Sequence, residues 1–346
     1  MATMKAAQFH PDSMKISLET IPIPEPKADE ILVKTISAGL CHSDLMVLDG
    51  SLPVQSTVPV TIGHEAVGEI VSLGSSVKGF SVGDTIGFLN AWHACWECEG
   101  CSRHYAQCSG GEFKMQGWAL DGFMQEYCIV DHKTAFVLPK DLDATKAAPL
   151  TCAGITAFNA VRRPNLKEGQ WLGVVGCGGL GQLAVRYAKA HNLRVIAIDI
   201  DDTILSHATA AGVEHTFNSR TTPTPDLITT VKSLTGGGLH AVAVFTAVKA
   251  GYAIAPKLLR LGGQLVCVGC PGEDVEINAM SVALSMYSVV GANNMATPSQ
   301  LRECAEFTAK HGIDPPMQFF KIEQIEEMVE IMEKGKLGGN RLVVQY

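Results

Sequence analysis

Four closely spaced cysteines are the residues in this sequence whose chemistry is easiest to predict. Cys95, Cys98, Cys101 and Cys108 follow the pattern C-x2-C-x2-C-x6-C within fourteen residues. Four thiolates this close together can surround one tetrahedral metal ion, so the segment predicts a closed structural zinc site. A metal-free reduced loop and an iron–sulfur cluster are the alternatives. The bacterial ferredoxin pattern continues with a gap of three residues and a proline, whereas here the gap is six residues and Ser109 follows, so zinc is favoured.

A second motif is a glycine-rich turn of the form G-x-G-x-x-G. Its residues are Gly176, Gly178, Gly179, Leu180 and Gly181. The motif follows an apolar strand and opens a helical pattern, and its backbone amides could contact a pyrophosphate at the helix N-terminus. Asp199 ends the next predicted strand and could accept hydrogen bonds from the adenosine ribose hydroxyls. Because Asp199, Asp201 and Asp202 would repel a 2′-phosphate, NAD is predicted in preference to NADP. A plain packing turn is the alternative.

A second metal site could be formed by Cys41, His64 and Cys152, although no local spacing links them. Two thiolates and one imidazole leave one coordination position open on zinc, as a catalytic zinc requires. The alternative is that both cysteines are buried apolar residues and that His64 is an ordinary turn histidine. The residues alone do not decide between the two interpretations.

The elements that must position these residues fall into two kinds. Residues 4–150 alternate short β-like runs with glycine and proline turns, which predicts a β-rich domain carrying the cysteine loop. Beyond residue 150, strands at 171–176 and Arg194–Asp199 alternate with helical patterns, which predicts a parallel, doubly wound sheet. In the C-terminal tail, the pattern of apolar residues predicts helices at 299–311 and 322–334 and a final strand, Arg341–Gln345. Pattern alone does not say where this tail packs.

Composition limits the class of protein. The chain has 346 residues, which suits two domains. A net charge of −8 without any Lys/Arg-rich run argues against nucleic-acid and membrane partners. The apolar runs are too short to span a bilayer. Eleven cysteines without a signal-type N-terminus predict reduced thiols and a cytoplasmic location.

Taken together, these motifs resemble the zinc-dependent alcohol dehydrogenases of the medium-chain dehydrogenase/reductase family, closest to the yeast and fungal type. The segments that carry the resemblance are 41–44, 63–65, 95–108, 151–154, 176–181, Asp199 and 268–269. The resemblance implies an α/β protein in which a GroES-like β-rich catalytic domain is interrupted by a Rossmann domain with a doubly wound parallel sheet. The implied domains are 1–151, 152–289 and 290–346, the last returning to the catalytic domain.

The resemblance also implies roles for individual residues. The catalytic zinc ligands would be Cys41, His64 and Cys152, and with the structural zinc the chain would hold two Zn²⁺ ions. Asp44 would hydrogen-bond His64, Glu65 would approach the metal during ligand exchange, and Ser43 would take the alcohol proton. The NAD(H) contacts outside the glycine turn and Asp199 would be His42, Val268 and Arg341. The zinc would lower the pKa of an alcohol, which then passes hydride to NAD and becomes an aldehyde or ketone.

Three departures from the family pattern matter. Met46 stands where many relatives have the histidine that ends the proton relay; methionine cannot accept a proton, so slow alcohol oxidation is expected. Smaller residues stand where the yeast enzymes have bulky ones, which predicts a roomier, more polar pocket and a substrate larger than ethanol. These pocket residues are Leu48, Asn90 and Cys270. The gap before Cys108 is six residues where seven is usual.

Two other functions stay open. One is a dedicated biosynthetic carbonyl reductase of the same fold, which Met46 and the small pocket residues favour. The other is a non-catalytic nucleotide-binding relative, against which the retained zinc ligands, Glu65 and Ser43 argue. The expected partner is a small alcohol or carbonyl substrate. The resemblance suggests a homotetramer or homodimer joined at the sheet edge near 286–292.

Overall fold

The structure, a computed structural model, describes residues 2–52, 56–110, 112–294 and 296–346. Its described strands form a mixed sheet of seven strands, a parallel sheet of six, and two small sheets of three and two strands. None of the described helices is long and apolar enough to cross a membrane.

The first part of the chain builds most of the mixed sheet and both small sheets. Its strands are β1 (Thr3–His10), β2 (Lys15–Pro22), β3 (Glu30–Leu40), β4 (Val60–Thr61), β5 (Glu65–Leu73), β6 (Thr85–Phe88), β7 (Ala91–Trp92), β8 (Lys114–Met115), β9 (Tyr127–Asp131) and β10 (Ala135–Val137). Two short helices interrupt them, α1 (His42–Leu48) and α2 (Glu99–Arg103). The mixed sheet takes β3, β5, β6, β9 and β10 from this part, and the small sheets are β2-β1-β4 and β7-β8. In the mixed sheet, β3 lies at the centre and pairs antiparallel with both β5 and β9. It contributes Ile31, Val33 and Leu40 to the apolar core beneath the sheet.

The second part builds the parallel sheet behind a linking helix, α3 (Ala153–Arg162). Its elements are β11 (Trp171–Val175), α4 (Gly179–Ala190), β12 (Arg194–Asp199), α5 (Asp202–Ala210), β13 (His215–Asn218), α6 (Thr224–Thr235), β14 (Leu239–Val244), α7 (Lys249–Leu258), β15 (Leu259–Cys267), α8 (Ala279–Ala283) and β16 (Tyr287–Gly291). The strand order is β13-β12-β11-β14-β15-β16 and every pairing is parallel. The order reverses between β11 and β14, so the predicted doubly wound sheet is confirmed.

The tail returns to the mixed sheet. Its elements are α9 (Pro298–His311), β17 (Met317–Phe320), α10 (Ile325–Glu333) and β18 (Arg341–Gln345). β18 pairs antiparallel with β3 and parallel with β17. The helix predicted at 322–334 is a 3₁₀ turn, Ile322–Gln324, followed by α10. Gln324 Oε1 accepts the backbone N–H of Lys321 at 3.0 Å, which tightens this first turn.

Candidate active site

A buried cluster of ligand-type side chains forms beside the start of β5. The cluster consists of Cys41, His64, Glu65 and Cys152, and one ligand atom from each lies within 4.8 Å of the others. Cys41 directly follows β3, and the pairing of Gly39 with Glu65 sets the end of β3 beside the start of β5. Cys152 joins from the residue before α3. Strand pairing therefore assembles three segments that no local spacing connects.

The donor set of this cluster fits a metal ion. His64 Nδ1 lies 2.8 Å from Asp44 Oδ1, and both side chains are buried. In the neutral ring, this carboxylate holds the proton on Nδ1 and leaves the lone pair on Nε2. Nε2 is itself buried and has no hydrogen-bond partner among the described residues. One imidazole lone pair and two thiols in a buried site match three-ligand zinc sites, which keep a position open.

The cysteines of the cluster differ in acidity. A hydrogen bond from the Cys152 thiol holds the pKa of Cys41 well below its usual range, with help from His64 and Arg341 against the cost of burial. The same hydrogen bond and burial raise the pKa of Cys152. Burial raises the pKa of Glu65 to about 7, although Arg341 opposes the change. A lowered pKa favours the thiolate of Cys41, which is the form of cysteine that binds metal.

Arg341 connects the cluster to the glycine turn. Its Nη2 lies 2.7 and 2.6 Å from the two carboxylate oxygens of Glu65 and 3.3 Å from the carbonyl oxygen of Leu40. Its aliphatic stem lies against the turn, because a Cβ on Gly179 would meet Arg341 Cδ at 2.6 Å. The predicted pyrophosphate contact of Arg341 stays a prediction, since the guanidinium group is bound to Glu65 in this structure.

The four-cysteine loop also forms a compact cluster. Its members are Cys95, Cys98, Cys101 and Cys108. The sulfur of Cys95 lies 3.9 Å from that of Cys101 and 3.6 Å from that of Cys108. A Zn–S bond of about 2.3 Å gives a tetrahedral edge of about 3.8 Å, so these separations fit four thiolates around one zinc ion. The shortened gap therefore does not keep Cys108 out of the cluster.

Backbone amides point at the sulfurs of this loop. The N–H groups of Cys101 and Ser109 donate to Cys98 Sγ at 3.3 and 3.5 Å, and Gly110 N–H donates to Cys108 Sγ at 3.3 Å. The amides of Ser109 and Cys101 lower the pKa of Cys98 to about 5. A thiolate at neutral pH, held by N–H donors, is the state in which cysteine binds zinc.

The glycine turn has the shape of a dinucleotide cradle. Gly178 is the N-cap of α4, and a Cβ placed on it would meet nothing within 4 Å. Asp199 braces the turn, because its Oδ2 accepts the N–H of Cys177 at 2.6 Å. Its Oδ1 accepts the N–H of Ile200 at 2.7 Å, so the carboxylate is fixed at the end of β12. Leu180 lies in the first turn of α4.

The predicted pocket residues separate in the structure. Leu48 packs against the core of the mixed sheet, and Cys270 is exposed in the loop after β15. Asn90 is buried between β6 and β7 and is hydrogen-bonded within the protein, and its place in the substrate pocket stays a prediction. Asn90 Oδ1 accepts from the Tyr105 hydroxyl at 3.1 Å, and Nδ2 donates to the Gln116 carbonyl at 3.2 Å.

The remaining predicted residues lie near the two sites. His42 and Ser43 open α1 directly after Cys41, with His42 exposed and Ser43 half-buried. Val268 lies in the loop after β15 and packs against the core shared by α3 and the parallel sheet.

Sequence reasoning missed Trp118. Its ring lies edge-on to that of His64, with 6.1 Å between the centroids. Its indole Nε1 is buried and has no hydrogen-bond partner in the part of the chain that the structure describes. A single tryptophan in a turn was the available sequence signal, and it does not indicate a site.

Comparison with known proteins decides the family. Residues 27–140 match the family model of the alcohol dehydrogenase GroES-like domain, and residues 179–310 match that of the zinc-binding dehydrogenases. The chain is 33% identical over 344 residues to an alcohol dehydrogenase of Moraxella sp. (strain TAE123), covering 99% of each chain. It belongs to the zinc-binding alcohol dehydrogenases of the medium-chain dehydrogenase/reductase family.

Further relatives agree with this membership. The chain is 32% identical over 343 residues to an alcohol dehydrogenase of Geobacillus stearothermophilus, again covering 99% of each chain. The crystal structure of the alcohol dehydrogenase from the archaeon Aeropyrum pernix matches with a TM-score of 0.87 and 29% identity, over 99% of this chain and 100% of that chain. The predicted GroES-like and Rossmann fold and the oxidoreductase class are confirmed. The predicted likeness to the yeast and fungal type is not supported, because the two sequence relatives are bacterial.

Two alanine substitutions in the glycine turn of this dehydrogenase should affect different properties, the first dinucleotide binding and the second stability. Gly178→Ala should leave the free energy of unfolding unchanged but weaken dinucleotide binding at least about 10-fold, because its Cβ would occupy the open space of the cradle. Gly181→Ala should lower the free energy of unfolding by about 1–3 kcal/mol, because its Cβ would lie 2.2 Å from the Gly176 carbonyl oxygen. NADH titration and urea unfolding measure both effects. Wild-type NADH affinity in Gly178→Ala would refute this interpretation of the turn.

Cys108→Ser should lower the zinc content by one ion per chain and reduce the melting temperature, because a four-thiolate site would lose one ligand. Cys128→Ser is the control, since this buried thiol contacts Thr35 in the mixed sheet and belongs to neither cluster. Metal analysis and thermal unfolding give the readout. Equal zinc content in both variants would show that Cys108 is not a ligand.

Proposed function

We propose that this chain is an NAD-dependent alcohol dehydrogenase with two zinc ions, interconverting an alcohol and an aldehyde or ketone. The observation that carries the proposal is the set of two thiols and one imidazole nitrogen, unpartnered among the described residues, beside a dinucleotide cradle. Family membership gives the reaction class, and the donor set supports its metal-assisted form.

Cys41, His64 and Cys152 would hold the catalytic zinc, and the four-cysteine loop would hold the structural zinc. When bound, the catalytic zinc would supply a positive charge that makes an alcohol a stronger acid. The nicotinamide would supply or accept the hydride, and the protein contributes position and charge.

The chain's own residues would orient the reactants and move the proton. Asp44 keeps the His64 ring in the tautomer with Nδ1 protonated. Ser43 is half-buried in the first turn of α1, where its hydroxyl could accept the alcohol proton and pass it toward solvent. Glu65, held by Arg341 in this structure, could approach the metal site when that ion pair opens.

The preference for NAD is supported by the charges after β12. Asp199 is fixed by backbone amides, and Asp201 and Asp202 follow it at the start of α5. A 2′-phosphate would enter this group of carboxylates and be repelled. Arg220 opposes this preference, because its positive charge would attract a 2′-phosphate. It follows Ser219, whose N–H donates to the Asp199 carbonyl at 2.8 Å and so holds the segment close to the same edge.

A substrate larger than ethanol is supported by the surroundings of His64. Trp118 provides an aromatic wall beside His64, and its buried indole N–H has no hydrogen-bond partner among the residues that the structure describes. Leu48 lies on α1, and its side chain and that of Trp118 pack against the same apolar core. These features suit an aryl or cyclic alcohol better than ethanol.

The second candidate is a carbonyl reductase working mainly toward alcohol. Met46 favours it, because a half-buried thioether one turn after Ser43 cannot relay a proton away during oxidation. A non-catalytic relative is the third candidate. Two complete clusters of metal ligands argue against it.

A homodimer or homotetramer is proposed through the β16 edge. β16 is the last strand of the parallel sheet, and the neighbouring apolar side chains Leu261, Met280 and Leu284 are 81%, 72% and 67% exposed. A second copy could cover this surface. A cytoplasmic location is proposed because all eleven cysteines are free thiols.

An alcohol and carbonyl panel with NAD(H) and NADP(H) tests the function. Wild-type kcat/KM is expected to be at least about 10-fold higher with NAD than with NADP, and higher for aryl or cyclic alcohols than for ethanol. Asp199→Asn should reduce the ratio of kcat/KM with NAD to kcat/KM with NADP, because it removes the negative charge and keeps an oxygen acceptor. Asp226→Asn, in the first turn of α6, is the matched surface control. A preference for ethanol refutes the larger pocket, and equal use of NADP refutes the cofactor assignment.

A further inference from the structure

A chain of hydrogen bonds connects the four-cysteine loop to the loop that follows β16. Ala106 N–H donates to His104 Nδ1 at 3.0 Å, and His104 Nε2 bonds Asn294 Oδ1 at 3.0 Å. Asn294 Nδ2 donates to the Tyr105 hydroxyl at 2.6 Å, and this hydroxyl donates to Asn90 Oδ1 at 3.1 Å. Asn90 Nδ2 then donates to the Gln116 carbonyl at 3.2 Å. Residues about 190 positions apart in sequence are thereby joined.

The direction of every bond in this chain is consistent with the others. His104 Nδ1 accepts a backbone N–H, so in the neutral ring Nε2 carries the proton and donates it to the Asn294 oxygen. The Asn294 amide nitrogen then donates to the Tyr105 oxygen, and the hydroxyl proton goes on to Asn90. Every donor therefore faces an acceptor, and removing one member leaves its neighbours unsatisfied.

Tyr105 occupies the central position of the chain. Its side chain is only 1% exposed, and its ring packs against Trp96 and Phe113 of the same loop region. A phenylalanine ring could make these packing contacts equally well. The hydroxyl is therefore needed for the chain rather than for the packing.

Asn294 lies just beyond the carboxyl end of β16, on the edge of the parallel sheet where the strands end. β16 ends at Gly291, and Ala292 N–H bonds the carbonyl of Cys267 at the end of β15. Dinucleotides bind outside the carboxyl ends of the strands in doubly wound sheets. Asn159 on α3 also donates to the carbonyl of Asn293 at 3.0 Å. The loop 292–294 is thus tied to α3 on one side and to Tyr105 on the other.

We propose that Tyr105 is a positioning residue that holds the loop 292–294 at the cofactor edge of the parallel sheet. Through Asn90, which lies between β6 and β7, the same hydroxyl is bonded to the first part of the chain, so it links this part to the loop 292–294. The identity of the ligand rests on the proposed function, whereas the anchoring of the loop does not. Tyr105 acts through Asn294 and touches no reacting atom.

Tyr105→Phe tests the proposal, with Tyr187→Phe as the matched control. Tyr187 is also fully buried, and its hydroxyl bonds Thr308 and Cys304 between α4 and α9, away from the loop. Both variants should lower the melting temperature to a similar extent, because each loses buried hydrogen bonds. Only Tyr105→Phe should raise the Kd for NADH, by roughly 3- to 10-fold for about one hydrogen bond. Zinc content should equal that of the wild type in both.

Asn294→Ala and the double variant provide a second readout. Asn294→Ala should raise the Kd for NADH as Tyr105→Phe does, and the double variant should bind no more weakly than either, because both changes break the same chain. Provided that the wild type binds NADH, equal NADH affinities of Tyr105→Phe and Tyr187→Phe would overturn the proposal.

Hydrogen exchange of the loop 292–294 without cofactor separates this inference from the proposed function. If the wild type binds neither NADH nor NADPH, the proposed function fails, yet faster exchange in Tyr105→Phe than in Tyr187→Phe would still support the anchoring. Equal exchange in the two variants contradicts it.

Discussion

The buried ion pair between Arg341 and Glu65 connects the three parts of the chain that form the site. Arg341 belongs to the tail, Glu65 opens β5, and the arginine stem lies against Gly179 in the dinucleotide turn. Removing two such charges from water costs several kcal/mol, which their attraction repays only in good geometry. The pairing of β18 with β3 provides that geometry, and the tail thereby becomes part of the active site.

The two clusters of metal ligands differ in the origin and the number of their ligands, and both differences agree with their proposed roles. The four-cysteine loop is local in sequence, and backbone amides of its own segment hold its sulfurs. Four thiolates would fill a tetrahedral shell and leave no position for a substrate. The cluster beside β5 is assembled from distant segments and offers three strong ligands, one of them an imidazole nitrogen without a partner in the described part of the chain. The first cluster suits stability, and the second suits chemistry.

The sequence predicted the local features well and the non-local ones poorly. Some features depend only on spacing within short segments, so the sequence predicts them. They are the cysteine loop, the glycine turn and the alternation of strands and helices. Cys41, His64 and Cys152 meet only because β3 pairs with β5, and family resemblance, rather than spacing, predicted them. The hydrogen bonds of Asn90 could not be predicted, because its partners, Tyr105 and Gln116, lie 15 and 26 residues away. Trp118 and the Arg341–Glu65 pair were missed for the same reason, since tertiary contacts alone give them meaning.

Zinc-edge X-ray absorption on the purified protein tests the central claim most directly, because it counts and distinguishes the ligands of both sites at once. The account predicts two zinc ions per chain, one with four sulfurs at about 2.3 Å and one with two sulfurs plus nitrogen or oxygen, an average of about three sulfurs per zinc. A single zinc with four sulfurs would show that the cluster of Cys41, His64 and Cys152 is not a metal site and would contradict the account.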